Sequence, residues 1–513
     1  MKNILITIRS IFKKGRHNVM KIVSLGIGLA VGLVLIAKVY FEQSYDDFYP
    51  DRDRVYQVWA KYQQNGGELK DYPQTSGGIA PTMQQQIPEI ETVTRYTSFG
   101  DWTFTMTDTK MKYSGRCIIA DSCFFDILPR PMLIGNAKEV LSTPMYVLIS
   151  SRIAKNIGGD VIGKNFTVDN SPGRTMTIGG VFEEVPENSH SRYDVIVSMA
   201  SAGRFMWEGS PTNMLGNDRY ISYVKLHKGV NPLALEEQVR TFVNSYFPPE
   251  EQQKVGLSID FSFHKLDNLH KELPQVKRMT WILSLLAFAL IFTAVMNYIL
   301  IVISSIVNRS KEVAVHKCYG ASENNIHGMM FGEALVHIVL SLILALLLIL
   351  AFRGTVEELL ATSLDSLLLS NGSLVLLGIC ILVFFVSGFM PGSLYARIPV
   401  ASAFRNYREN KRIWKKALLL VQFVATGFLV TMLVFVARQY TFMVNDRPGY
   451  AYENLAYCGL AGVDSTSRAK ILDEVMRLPG VAAATTVYQL PFEHASGNNI
   501  LLPGGTQELF NIA

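Results

Sequence analysis

The chain has 513 residues, of which 49% are hydrophobic and 18% charged, with a formal net charge of +5. Its basic residues gather at the ends of apolar stretches, where membrane-topology signals stand, so the positive balance requires no nucleic acid. The five cysteines define no disulfide framework.

Within the N-terminal segment 1–21, residues 3–14 place Ile4, Leu5, Ile8, Ile11 and Phe12 on one helical stripe, with Lys2, Arg9 and Lys13 elsewhere. That pattern predicts an amphipathic helix able to lie on a membrane surface. The first apolar run, 22–41, lacks a small-residue cleavage site and reads as a retained anchor. Four more runs follow at 279–306, 326–352, 374–395 and 417–437. About 20 apolar residues span the roughly 30 Å hydrocarbon core, and lipid offers no partner for free peptide groups, so each run must be a helix. The fold class expected is an α-helical integral membrane protein with five transmembrane helices and one large α+β insert.

Charge sets the expected orientation. Residues 1–21, the turn 307–325 and the connection 396–416 are rich in Lys and Arg; the short loop 353–373 has Glu357, Glu358 and Asp365 against Arg353. The positive-inside rule then puts the N-terminus inside and residues 42–278 and 438–513 outside. Within 42–278, alternation and β-branched content predict strands over 54–61, 103–107, 145–149 and 165–169, and helices over 81–86 and 233–247. Asn231-Pro232 is the start signal for the last. Cys117 and Cys123 are expected outside, where a disulfide could form; free, partly buried thiols are the favoured reading.

Three patterns suggest chemistry and are better explained otherwise. Gly158 to Lys164 fits G-x-x-x-x-G-K, but Asn165 stands where a hydroxyl must hold magnesium. His264, Asp267 and His270 are spaced for one face of neither a strand nor a helix, which argues against a metal site. Glu333 and His337, one helical turn apart in the third run, read as a helix-packing pair rather than a proton relay. No nucleophile elbow, zinc motif or dinucleotide loop is visible, and no catalytic, cofactor-binding or metal residue is expected.

The chain repeats itself at an offset near 390–400 residues. A basic segment, an apolar run, Ala37-Lys38-Val39-Tyr40 and the strand Val55-Tyr56-Gln57-Val58 recur as a basic segment, an apolar run, Ala437-Arg438-Gln439-Tyr440 and Leu455-Ala456-Tyr457. Ile87-Pro88-Glu89-Ile90 has its counterpart in Leu478-Pro479-Gly480-Val481.

These residues resemble the permease subunits of MacB/FtsX-type ABC transporters. Ser44-Tyr45-Asp46-Asp47-Phe48, Asp53-Arg54-Val55-Tyr56, Ala80-Pro81 and the run from Gly180 to His190 are similar to hallmarks of the MacB-like periplasmic core domain. Arg309, Glu312, His316, Lys317, Gly320, Ala321 and Ser322 match an FtsX-type cytoplasmic signature, with Ala314 for the usual glycine and His316 for the usual arginine. Physically, that segment is a short charged helix stopped by Gly320, with Ser322 placed to cap the next.

The resemblance implies a bacterial inner-membrane permease with its large domain in the periplasm. It implies a separate cytoplasmic ABC ATPase that binds the ATP, a second permease copy, and room for a periplasmic adaptor. Export or efflux would follow by mechanotransmission, in which ATP-driven movement at 307–325 is passed to the periplasmic domain. An FtsX-like scaffold activating cell-wall hydrolases and a membrane-anchored sensor without an ATPase are the alternatives. Duplicated relatives carry two units and eight helices, so the resemblance also implies that the second unit, from 438 on, is incomplete.

Overall fold

The computed structural model describes residues 17–64, 67–168, 171–216, 218–369, 372–396, 400, 413–445, 454–460, 463, 465–487, 496–501 and 507–512. The amphipathic helix expected over 3–14 and most of the connection expected over 396–416 lie outside these residues.

Helix α1 (Asn18–Gln43) outruns its apolar stretch at both ends. It does so because Asn18, Lys21, Lys38 and Glu42 are all buried on partners, which lets polar turns continue the helix. The chain then builds the large domain from β1 (Val55–Gln64), β2 (Lys70–Tyr72), α2 (Ile79–Gln86), β3 (Ile90–Met106), β4 (Lys112–Ala120) and α3 (Phe124–Ile127). It continues through β5 (Met132–Ile134), α4 (Ala137–Ser142), β6 (Tyr146–Ser150), α5 (Ser151–Ile157), β7 (Asn165–Val168), β8 (Ser171–Phe182) and β9 (Val195–Ser198). Strand β10 (Ile221–Leu226), α6 (Glu236–Tyr246), α7 (Pro249–Val255) and β11 (Leu257–Lys265) complete it.

All these strands join one 11-stranded sheet, ordered β11-β1-β10-β3-β4-β9-β6-β8-β5, with β2 on β1 and β7 between β3 and β8. Pairing is antiparallel except for β4 with β9 and β6 with β8. Helices α2 and α6 cover one end, packing Met83, Val239 and Phe242 against Val58, Val224 and Phe261. A second core gathers Trp102, Phe104, Phe166, Ile178 and Val197. A third holds Tyr49, Tyr96, Phe124, Phe182 and Tyr223.

The strands expected over 54–61, 145–149 and 165–169 correspond to β1, β6 and β7. The one expected over 103–107 is only the tail of a 17-residue strand, β3. A register shift between Ser98 and Gly100, with Gly100 at φ 72°, lets β3 bend and keep pairing past a break in its alternation. Helix α6 is preceded by a 3-10 turn from Pro232 to Leu235, and Glu236 and Glu237 sit in its first turn, where the helix dipole favours acid. Cys117 and Cys123 are both free thiols; Cys117 is buried in a strand and Cys123 donates to the Val93 carbonyl at 3.0 Å.

Next come α8 (Pro274–Ser304), α9 (Ile306–Cys318), α10 (Glu323–Ala351), α11 (Arg353–Leu360), α12 (Leu364–Leu368), α13 (Ser373–Ala396) and α14 (Ile413–Asn445). Helices α1, α8, α10, α13 and α14 are long and apolar enough to cross a membrane. Helix α1 lies between α8 and α10. A Cβ on Gly28 would stand 2.2 Å from the Ala294 Cβ, and one on Gly32 would stand 2.4 Å from Ile291. Small residues four apart thus let α1 and α8 touch almost backbone to backbone. Helix α14 is the least covered by the rest of the chain.

The second copy of the repeat keeps its helix but not its strand. Helix α15 (Ser465–Met476) precedes Leu478-Pro479-Gly480-Val481 as α2 precedes Ile87-Pro88-Glu89-Ile90. Residues 455–457, expected to mirror β1, form no strand. In the first copy β1 is held on both sides by β10 and β11; among the described residues no strand lies beside 455–457. The hairpin of β12 (Ser496–Leu501) and β13 (Gln507–Ile512) forms a separate two-stranded sheet.

Candidate coupling site

The charged segment between the second and third apolar helices is α9 and its turn. Its entrance is a break at Ser305. The Ser305 hydroxyl donates to the Val302 carbonyl at 2.6 Å, and the buried Tyr395 hydroxyl of α13 donates to the same carbonyl at 3.1 Å. The break is therefore pinned from a neighbouring helix rather than loose.

The exit is a Schellman stop. Gly320 takes φ 87°, the Ala321 N–H reaches back to the His316 carbonyl at 3.0 Å, and the Gly320 N–H reaches the Lys317 carbonyl at 3.0 Å. Ser322 then caps α10, accepting from the Asn325 N–H at 3.3 Å. Gly320 thus stops α9 and Ser322 caps α10, as the spacing of these two suggests.

One face of α9 is fixed. Val313 and Ala314 are each 1% exposed and belong to the core of the helical bundle. Ala314 stands where the resembling signature has glycine, and its one methyl fits that contact. Glu312 and Lys317 are half-buried beside it, and His316 is exposed. Arg309 lies on α9, but its side chain is outside the described residues. The opposite face presents Tyr319, 88% exposed, and Val315, 43% exposed. Sequence reasoning passed over both; an aromatic beside a helix-stopping glycine was the available signal.

A second cluster of polar groups sits where α1 and α8 meet the large domain. Lys38 Nζ donates to Thr362 Oγ1 at 2.8 Å and lies 2.7 Å from Glu42 Oε1. Glu42 Oε2 is 2.6 Å from His270 Nε2, and the His270 ring stacks on Tyr45. Burial, with the Glu42 charge nearby, pushes the Tyr45 hydroxyl up from its ordinary value. Lys271 bonds Asp267 at 2.9 Å and Asp47 at 3.2 Å. Burial alone would lower the Lys271 ammonium; the two carboxylates outweigh it and raise it. Lys38, a charge inside an apolar run, is a functional signal in its own right, one that its place in the Ala37-Lys38-Val39-Tyr40 repeat does not reveal.

The remaining sequence patterns resolve structurally. His264 stacks on Trp59 and is depressed by burial, Asp267 pairs with Lys271, and His270 pairs with Glu42, so the three diverge. Among the described residues no group of His, Cys, Asp or Glu could hold a metal. In the G-x-x-x-x-G-K stretch the helix precedes the glycines instead of following them, and the Gly163 N–H is spent on the Ile178 carbonyl. Glu333 and His337 each take a partner from another helix: Lys21 at 3.5 Å and the Tyr298 hydroxyl at 3.2 Å.

Two family models match the chain. The MacB-like periplasmic core domain covers residues 20–242, and the FtsX-like permease C-terminal domain covers 284–400. Among solved structures, a domain of a putative permease protein from Porphyromonas gingivalis is 33% identical, covering 42% of this chain and 91% of its own, with a TM-score of 0.39. The periplasmic region of MacB from Actinobacillus actinomycetemcomitans is 15% identical over 43% of this chain and 91% of its own, with a TM-score of 0.28. The extracellular domain of the noncanonic ABC-type transporter YknZ from Gram-positive bacteria is 11% identical over 40% and 98%, with a TM-score of 0.29. No curated protein matches.

Proposed function

Because this chain belongs to the MacB/FtsX-like ABC permeases, whose members are transporter or scaffold components rather than typical enzymes, we propose that it couples a partner's ATP hydrolysis to movement of its α+β domain. The partner is a separate cytoplasmic ABC ATPase, which binds the nucleotide; two permease chains complete the membrane part. The N-terminus and α9 face the cytoplasm of a bacterial inner membrane, and the large domain stands in the periplasm, as the Lys and Arg distribution supports. The work done is export or efflux by mechanotransmission, with no substrate path required through the bilayer.

The observation that carries this reading is the construction of α9. One face is locked into the bundle core, both ends are pinned by hydrogen bonds, and the free face offers Tyr319 and Val315. A rigid element that presents an aromatic while joined to two membrane helices can take a push from a soluble protein and pass it on. Exposed aromatics are preferred anchors at such contacts. Helix α8, 31 residues long, then carries the displacement about 46 Å to the large domain.

The test is Tyr319→Ala. The side chain is exposed, so folding and membrane insertion should be unchanged while co-purification of the ATPase falls at least tenfold, a typical hot-spot loss of about 2 kcal/mol. Full ATPase recovery with this variant and with Glu312→Lys would make α9 a topology signal only.

A further inference from the structure

Three bodies meet at the domain end of the bundle, and their polar contacts close into a ring. The first is the top of α1. The second is the cap formed by α11 and α12. The third is the loop between β8 and β9, residues 186–190, which hangs from the sheet.

The cap binds the other two through neighbouring residues. Thr362 accepts from Lys38 of α1, and Ser363 donates both its N–H and its hydroxyl to Glu187 Oε2, each at 3.0 Å. Those partners lie 324 and 176 residues away in the chain, so this juxtaposition is purely tertiary. Ser363 also caps α12, accepting from the Ser366 N–H, and Glu357 accepts from the Leu364 N–H at 2.9 Å. The cap is thereby stiff. Ala37, Phe41 and Leu367 form the apolar floor of the same contact.

The third corner joins the loop to the exit of α1. Asn188 Nδ2 donates to the Ser44 carbonyl at 2.7 Å, and the Asp46 N–H donates to the Asn188 carbonyl at 2.9 Å. Ser189 donates to Asp46 Oδ1 at 3.0 Å. His190 Nδ1 is 2.7 Å from Asp46 Oδ2, while its Nε2 is 2.5 Å from the buried Tyr223 hydroxyl on β10. Asp46 is fully buried at φ 60°, a left-handed conformation that aspartate adopts when its short carboxylate is held by hydrogen bonds, as here by Ser189 and His190.

We propose that residues 186–190 are the joint of a closed three-body linkage, in which α1, the α11–α12 cap and the sheet shift together rather than through a flexible tether. This deepens the coupling reading and rests on it for its purpose. A displacement of α1 against the cap strains Lys38–Thr362, the cap pulls Glu187, and the loop turns the sheet through Asp46, His190 and Tyr223. Glu187, Asn188 and His190 are positioning residues in this device.

Hydrogen exchange of the full chain in lipid nanodiscs tests it. Glu187→Ala removes the Ser363 corner. If the ring is closed, exchange must rise about fivefold in residues 44–49 as well as in 362–366, the lower range for coupled residues of one hydrogen-bond network. Glu187→Gln keeps an acceptor and should restore protection in both segments. Asp101→Ala, which loses only an exposed pair with Arg116 elsewhere on the sheet, should change neither. If Glu187→Ala unfolds the domain outright, Thr362→Val reads the ring from the Lys38 corner, with 186–190 as the reporter. An exchange increase confined to the segment that lost its bond, in either variant, overturns the linkage. No ATPase is present in this measurement, so the linkage is decided here and ATP coupling by the Tyr319 experiment.

Discussion

Gly28→Ala is the most direct probe of how α1 is held. The new methyl would lie 2.2 Å from the Ala294 Cβ, whereas apolar carbons rest at about 3.5–4.0 Å. Helices α1 and α8 must therefore part locally by about 1.5 Å. Ala294 is itself buried and carries no flexible end that could swing away. Overpacking of this kind costs about 1–3 kcal/mol. Alanine also has the better helix propensity, so Gly427→Ala on α14, where nothing lies within 4 Å of the added methyl, is the control that carries the same propensity gain. Detergent-to-SDS unfolding of the two variants should differ by about 1–3 kcal/mol, with Gly28→Ala the less stable. Adding Ala294→Gly opens the space again and should recover most of the loss, a coupling expected only between residues in contact. Equal stability of the two single variants, or no recovery in the double, would refute the close crossing of α1 and α8.

Gly320→Ala forces a Cβ into φ 87°, and the strain of about 1–2 kcal/mol should loosen the α9 stop, seen as faster exchange at Ala321 and Ser322 with the large domain unaffected. Lys225, with Arg54, holds the Asp51 carboxyl below the usual carboxylate range. A folded pKa below the unfolded one contributes stability that is present above the unfolded value and lost as pH falls through the folded one. Thermal melting of the full chain between pH 7 and 3 should therefore show an acid loss that is smaller in Asp51→Asn. Single cysteines at the exposed positions Thr109 and His316, in a background without native cysteines, should label from opposite sides: 109 in intact spheroplasts, 316 only after lysis. Labelling of 316 in intact cells would reverse the proposed orientation.

What the sequence by itself determined follows from interactions that are local or set by solvent. An apolar run long enough to span lipid must be a helix, so five helices were legible, and so was the family signature around Gly320 and Ser322. The Schellman stop and the N-cap each depend on residues within one turn of each other, which is why Gly320 and Ser322 act as their spacing suggests. Tertiary structure alone decided which helix touches which. Gly28 is one of several glycines in an apolar run until Ala294 is placed against it. Likewise the parallel pairing of β4 with β9 joins strands some 80 residues apart, and no local period encodes such a partner. The polar ring is the extreme case. Glu187 and Thr362 are unremarkable where they stand in the chain, and Lys38, although a charge in an apolar run, gives no hint of its partner; each becomes part of a joint only when the sheet loop, the cap and α1 meet. For His264, Asp267 and His270 the spacing alone already spoke against a shared site; the structure adds only the different partner toward which strand and turn geometry directs each.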